Sequence, residues 1–341
     1  LYYNGFFSIA ILYFHPFIIF MIKFLLFNPN SVHIFTSKTT ASVFERNKAI
    51  PRRKRHAVSQ EMLRSACCKR LGFAPRTILP VAGGKGSCVY SVESEDGERF
   101  AIKIGIFTDH HSPCHELLFT TVVTRHTRYV PVQDICVVDV SGELMPCLYS
   151  ISRWLPGVSI KDLVSGKNMD GSEPVFGHLG RIVGQIHSIS LQTTGFGNLT
   201  GDCICDFTLT REIPTLLHGE DETAEVRYVQ PACEAASFLS RNFILERSDY
   251  EYISALLADE MPESGGIVFQ HGDMSMGNFL TDKNVVTGVL DGSGMIGFRF
   301  EEFAGVFMFL HALEFYFPGF SAQKAFDGFV SGYSNFYDKE V

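Results

Sequence analysis

Two short apolar runs, Ile267 to Phe269 and Val285 to Leu290, flank the polar stretch Gln270-His271-Gly272-Asp273-Met274-Ser275-Met276-Gly277-Asn278, and Asp291 follows the second run directly. Apolar runs of that length read as buried strands, so the polar residues between and after them are held at strand ends, where chemistry is commonly presented. Asp273 can orient a substrate hydroxyl and accept its proton. Asn278 offers a neutral amide oxygen and Asp291 a carboxylate, and together they can hold Mg²⁺ against nucleotide phosphates. The spacing therefore predicts a strand–loop–strand unit carrying metal-assisted phosphoryl transfer, although Asp273 by itself would also serve as a turn residue.

The upstream residues are consistent with that chemistry. Leu79 to Val92 reads as strand, glycine-rich turn and strand, and Gly83, Gly84, Gly86 and Ser87 let backbone N–H groups approach phosphate oxygens with no Cβ in the way. In the next strand, Arg99 to Ile104, apolar residues alternate around Lys103, whose ammonium must meet an anion or snorkel to water. Cys114 to Thr124 predicts a helix with Glu116 on its inner face. Leu144 to Leu155 predicts a strand running into Arg153-Trp154-Leu155-Pro156-Gly157. Val175 to Ile189 has helical periodicity and contains His187, which reads as structural or capping.

The order His-Gly-Asp, four residues, Asn, and later two apolar residues and Asp resembles the aminoglycoside phosphotransferase and choline kinase superfamily. It is the counterpart of the catalytic loop and metal-binding Asp of protein kinases. The resemblance covers about residues 63–337 and lies loosely nearest the antibiotic phosphotransferase branch, with Thr194 to Asp202 similar to a substrate loop of hygromycin-type enzymes. It implies an α+β, two-lobed protein-kinase-like fold, with a small antiparallel sheet plus one helix over 63–155 and a mainly helical lobe over 156–341. It also implies ATP and Mg²⁺ as cofactors, Asp273 as the catalytic base and Asn278 and Asp291 on metal. A Lys103–Glu116 pair would then hold phosphates, Gly83, Gly84, Gly86 and Ser87 would cover them, and backbone near Arg153 and Leu155 would meet the adenine edge. Some positions depart from the family pattern: Ser275 and Met276 stand where His and Pro are common, and Gly292-Ser293 follow Asp291 in place of an aromatic and an acid. Glu302 falls where a structural Asp often stands. A catalytically impaired ligand-binding protein is the alternative reading. Against a protein kinase stand the missing His-Arg-Asp, Asp-Phe-Gly and Ala-Pro-Glu motifs.

Composition bounds the rest. A chain of 341 residues with 46% hydrophobic content can bury a substantial core. Nine cysteines with no Cys-x-x-Cys pair make no disulfide framework and point to a reducing cytoplasm. Cys203, Cys205 and His218 lack the usual zinc spacing. Residues 1–62 stand apart: Leu1 to Phe27 is apolar and, at ~1.5 Å per residue, long enough to cross a bilayer, and a basic run over 46–55 follows. That leader reads either as a membrane anchor or as a spurious or disordered extension ahead of a start at Met62. It holds eight Lys/Arg and two Asp/Glu, leaving 21 basic and 35 acidic residues in 63–341, a formal net charge of −14. A negative field concentrates cations, so the acidic stretches 219–225 and Glu301-Glu302 predict a cationic small-molecule hydroxyl acceptor, with a solvated face as the other reading of 219–225. The aromatics Phe307, Phe309, Phe315, Tyr316 and Phe317 read as helix core, with a cation–π cage as the other option. No nucleic-acid partner is expected, and no oligomeric state is predicted.

Overall fold

The computed structural model describes residues 58–81, 87–105, 112–166, 173–199, 210–221, 223 and 266–337. The leader through residue 57, Gly83, Gly84, Gly86, Cys203, Cys205, Glu222 and Glu225 lie outside the described residues. Helix α1 (Gln60–Ala66) begins where Ser59 Oγ accepts the Met62 N–H at 3.2 Å, and it runs on through a π turn, Cys67–Leu71, to Gly72 at φ +79°. The leader boundary expected at residue 62 thus falls inside a capped helix.

Strands β1 (Thr77–Val81), β2 (Ser87–Glu93) and β3 (Arg99–Gly105) form an antiparallel ladder, with helix α2 (Ser112–His126) after it. Strands β4 (Ile135–Asp139) and β5 (Tyr149–Arg153) complete a sheet of order β1-β2-β3-β5-β4. The strand expected over 144–155 is only five residues long. Pro146 has no N–H for a ladder, and Pro156 stops the other end. In β3 the alternation is strict: Phe100, Ile102 and Ile104 join a core with Leu63, Tyr149 and Ile151, which leaves Lys103 on the opposite face.

Buried Asp139 fastens α1 to this sheet. Its Oδ2 accepts from Arg70 Nε (2.9 Å) and Tyr149 OH (2.8 Å), and its Oδ1 from the N–H (2.9 Å) and hydroxyl (2.6 Å) of Ser141. Burial alone would raise the carboxyl pKa, but the Ser141, Tyr149 and Arg70 bonds outweigh it and hold it at about 2. A pKa depressed on folding adds stability above the unfolded value, ~3.9, that is lost as pH falls toward 2. Asp139→Asn is therefore expected to lower stability by about 2 kcal/mol at neutral pH, and the gap from wild type to close between pH 4 and 2 in urea titrations.

The second half opens with β6 (Val158–Ser159), α3 (Ile160–Ser165) and α4 (Glu173–His187), then β7 (Thr193–Thr194), β8 (Phe196–Leu199) and β9 (Leu217–Asp221). Strands β10 (Ile267–Gln270), β11 (Phe279–Asp282), β12 (Val285–Val289) and β13 (Met295–Phe298) precede helices α5 (Arg299–Tyr316) and α6 (Ala322–Tyr337). The loop expected from Thr194 onward is instead strand: β8 pairs with β13 and β9, and Gly197 and Leu199 are buried. The Gly/Asn/Thr composition hides a period-two pattern there. Most of the buried apolar residues of α2, α4, α5, α6 and β10 to β13 form one core. No helix among the described residues is long and apolar enough to cross a membrane.

Helices α4 and α6 cross at glycines. A Cβ on Gly332 would stand 1.9 Å from the Gly177 carbonyl oxygen, and one on Gly180 2.0 Å from that of Phe329. Backbone cannot yield as a side chain does, so Gly332→Ala is expected to cost about 3 kcal/mol or more, read from denaturant midpoints.

Candidate active site

Strand β10 ends at Gln270 and the chain turns through His271 and Gly272. Gly272 sits at φ +88°, and a Cβ there would lie 2.1 Å from Ser293 Oγ and 2.5 Å from Met295 Sδ, so glycine is required. His271 is fully buried, edge-on to Phe119 and tilted against Phe279. Its Nδ1 faces the Asp273 N–H at 3.2 Å and its Nε2 the Leu290 carbonyl at 2.8 Å. A backbone N–H can only donate and a carbonyl only accept, so the ring carries its proton on Nε2. One imidazole thereby ties the start of the loop to the end of β12.

Beyond it Asp273 is exposed, and its Oδ1 accepts the Ser275 N–H at 3.1 Å. Met274 and Met276 turn into the core, which folds the loop back. Asn278 Nδ2 donates to the Asp273 carbonyl at 3.2 Å, and its own carbonyl accepts the Leu290 N–H at 2.8 Å. With the amide nitrogen engaged, Oδ1 is the atom left for a cation. Asp291, at φ +58°, holds a left-handed conformation that Asp tolerates better than most residues.

Lys103 comes in from β3 and meets both Glu116 of α2 and Asp291, the latter at 2.6 Å. Burial pulls the ammonium pKa down, and the Glu116 and Asp291 carboxylates more than reverse this, so it stays charged. The Glu116 contact follows the expectation from sequence. The Asp291 contact, between residues 188 apart in the chain, does not appear in any local pattern.

Glu302 is also new. It is 3% exposed, its Oε1 accepts the Gly272 N–H at 2.8 Å and its Oε2 meets His187 Nε2 at 2.8 Å. His187 Nδ1 meets the Tyr333 hydroxyl at 3.0 Å. Burial would raise the Glu302 pKa, but the hydrogen bond and charge of His187 and the Gly272 N–H keep it below the usual carboxylate value. Glu302 is therefore no part of an acidic surface for a cationic acceptor; it anchors the loop that starts at His271 from inside, in keeping with the structural acid expected at its position. The spacing of α5 gave the signal, since Glu302 sits one turn before buried Val306 on the inward side of the helix.

The hinge expectation narrows. The Arg153 N–H donates to the Asp134 carbonyl and the Trp154 N–H to the Arg99 carbonyl, each at 2.9 Å, so neither donor faces a cleft. The cause is local, because Arg153 still lies in the ladder beside β4. Its exposed guanidinium pairs with Glu98 (3.1 Å) and Asp134 (3.2 Å). Leu155 packs near Gly288, where a Cβ would be 3.1 Å from Leu155 Cδ1, and it remains the candidate for the adenine edge. Ser87 is buried at the start of β2, opposite Gly105.

Among the described residues no group of three or more His, Cys, Asp or Glu is arranged for a metal ion. One amide oxygen and one carboxylate at neighbouring strand ends suit an ion that takes its other oxygens from phosphates and water, which is how Mg²⁺ is usually held.

A small antiparallel sheet that offers a paired lysine to an aspartate of a larger half is the arrangement of kinase-like phosphotransferases. Residues 77–326 match the phosphotransferase enzyme family, and the chain belongs to it. It is a small-molecule kinase. Solved structures share the fold. A thermostable mutant of aminoglycoside phosphotransferase APH(4)-Ia, in complex with ADP and hygromycin B, superposes with a TM-score of 0.50 at 17% identity over 82% of this chain and 92% of that one. Macrolide 2′-phosphotransferase MphH from Brachybacterium faecium gives 0.50 at 13% over 81% and 82%. Amicoumacin kinase hAmiN, in complex with AMP-PNP, Ca²⁺ and its antibiotic, gives 0.50 at 13% over 82% and 78%. No curated protein matches the chain.

Proposed function

We propose that the protein moves the γ-phosphoryl group of ATP, with Mg²⁺, to a hydroxyl of a cationic small molecule of the aminoglycoside or amino-alcohol kind, in a reducing cytoplasm. The observation that carries this reading is the Lys103–Glu116–Asp291 cluster, set beside an Asp273 that shares its His271 anchor. Lys103 would hold the α- and β-phosphates, and Asn278 Oδ1 and Asp291 would hold metal. Mg²⁺ would neutralise charge on the phosphate oxygens as the bond to the leaving group breaks. Asp273 would orient the acceptor hydroxyl, whose oxygen bonds to phosphorus as its proton passes to the carboxylate; ADP and the phosphorylated acceptor leave. Residues 63–155 would carry the nucleotide and 156–341 the acceptor. Cys67, Cys68, Cys88, Cys136 and Cys147 are free thiols, which suits a reducing compartment.

Cationic acceptors are favoured by the −14 charge of residues 63–341 and by Glu220 and Asp221 on β9. Two of the three solved structures named above hold an antibiotic, hygromycin B in one and that of the amicoumacin kinase in the other. An ADP-release screen of the full chain against aminoglycosides, choline, homoserine, sugars and macrolides, with Asp273→Asn as control, tests the proposal. An acceptor-dependent signal that vanishes in the control is the expected result; release independent of every acceptor would sink it. For the acceptor so found, KM is expected to rise with ionic strength, because exposed charges are screened over ~8 Å at physiological salt. Glu220→Gln with Asp221→Asn should raise that KM roughly two- to fivefold and leave the ATP KM unchanged. A salt-independent KM, or a neutral sugar as best acceptor, would remove the cationic part of the reading alone.

A further inference from the structure

A cavity of about 620 Å³ opens between α2, the loop that follows it and the start of β4, and none of the proposed catalytic, metal-binding or nucleotide-binding residues lines it. That volume is in the range of small-molecule sites, ~300–1,000 Å³. Its apolar wall includes Leu117, Val130 and Val132, and Arg125 and Arg128 stand exposed on its lining. Arg125 gives one Nη2–H to the Arg211 carbonyl at 3.1 Å, and Arg128 meets no hydrogen-bond or ion-pair partner among the described residues. The one carboxylate on the lining, Asp134, is paired with Arg153 at 3.2 Å. The mouth is therefore cationic on a part of the chain, 63–341, whose formal charge is −14. An apolar wall with guanidinium groups beside it suits a molecule with a hydrocarbon body and an anionic head.

The walls also reach the candidate active site. Leu117 directly follows Glu116, the partner of Lys103. On the other side the Pro131 carbonyl accepts the Val289 N–H at 2.8 Å and Val132 bridges to Val289, two residues before Asp291. Both acids that hold Lys103 are thus carried on elements that meet at this cavity. A ligand that fixes the spacing of α2 and the loop biases both acids together.

We propose that this groove is a second small-molecule site, which takes an amphiphilic carboxylate and tunes nucleotide binding through α2 and β12. The tuning, though not the binding, rests on the reading of Lys103 and Asp291 as phosphate- and metal-holding groups.

Octanoate is a suitable probe. The only tryptophan, Trp154, lies next to Arg153 and under the Arg99 guanidinium at 4.4 Å, close enough in the chain to the Arg153–Asp134 pair to report on the groove. Octanoate titrated into the full chain without nucleotide, followed by Trp154 fluorescence and by calorimetry, is expected to bind saturably. Arg128→Glu should weaken it at least about tenfold, and Thr121→Phe, which fills the groove and changes no charge, should abolish it. Octyltrimethylammonium, with the same tail and opposite charge, should not compete. Saturating octanoate should shift the ADP dissociation constant at least threefold in wild type and leave it unchanged in Thr121→Phe. No calorimetric binding, equal affinity in Arg128→Glu, or competition by the cation would overturn the site, and an unshifted ADP affinity would overturn the coupling. Failure of ADP to bind at all would count against the phosphotransferase reading instead, because octanoate binding is measured without nucleotide.

Discussion

Asp291→Asn is expected to lower kcat/KM by about 10³-fold or more, some 4 kcal/mol of transition-state stabilisation, with the fold intact. The variant keeps the size of the side chain and, because Asn also tolerates the left-handed region, the φ of +58°. Lys103 keeps Glu116 as a partner, so no buried charge is stranded. What goes is a charged oxygen for metal beside Asn278. The expected pattern is unchanged thermal melting in the free protein and loss of the Mg²⁺-dependent gain in ADP affinity. Undiminished Mg²⁺-dependent turnover would falsify the assignment of Asp291. Asp291→Ala would be a poorer probe, since its short apolar side chain adds backbone strain to the lost ligand.

Glu302→Ala should have the largest effect on stability. It leaves the Gly272 N–H and His187 Nε2 without their acceptor in a closed interior, and breaking a buried pair of this kind costs about 3–5 kcal/mol. For a chain this long that corresponds to a fall in Tm of roughly 5–15 °C. Glu302→Gln should be milder in stability, because an amide oxygen can still take the Gly272 N–H, and more telling in catalysis. A loop displaced by about 1 Å costs on the order of 10² in kcat, with little change in the KM for ATP if, as proposed, the other half holds the nucleotide. The pH dependence has a fixed sign. The Glu302 pKa is lowered on folding, so its stabilisation is complete above the unfolded value, ~4.3, and disappears as pH falls through the folded one. The stability gap between wild type and Glu302→Gln should narrow below about pH 4; a gap that widened in acid would refute the buried-carboxylate assignment.

The contrast between Asp273 and Glu302 shows what a sequence can display. Asp273, Asn278, Asp291, Lys103 and Glu116 each sit in a local pattern, at a strand end, in an alternating strand or on the inner face of a helix, and periodicity places such residues. Glu302 and His187 act through partners 30 and 115 residues away, and a one-dimensional pattern carries no trace of which buried groups will meet. The order of the elements was legible because strand and helix periods are local. The short β5 and the paired β8 were not, because Pro146 cuts an apolar run and Gly197 masks an alternating one. The engagement of the Arg153 N–H was hidden for a similar reason: whether it faces a ligand or a neighbour depends on β4, which joins the sheet alongside.

His271 also limits how this enzyme can diverge. The same ring sets the height of Asp273 and the end of the strand that delivers Asp291, so the proposed base and the proposed metal ligand cannot drift apart independently. A mutation that re-spaced one for a bulkier acceptor would move the other off its phosphate. New acceptors must then be accommodated by surfaces that the imidazole does not touch, such as the β8–β9 ribbon, where residues can be exchanged without retuning the phosphoryl-transfer distance. Substrate range should therefore vary among descendants of this chain far faster than donor chemistry.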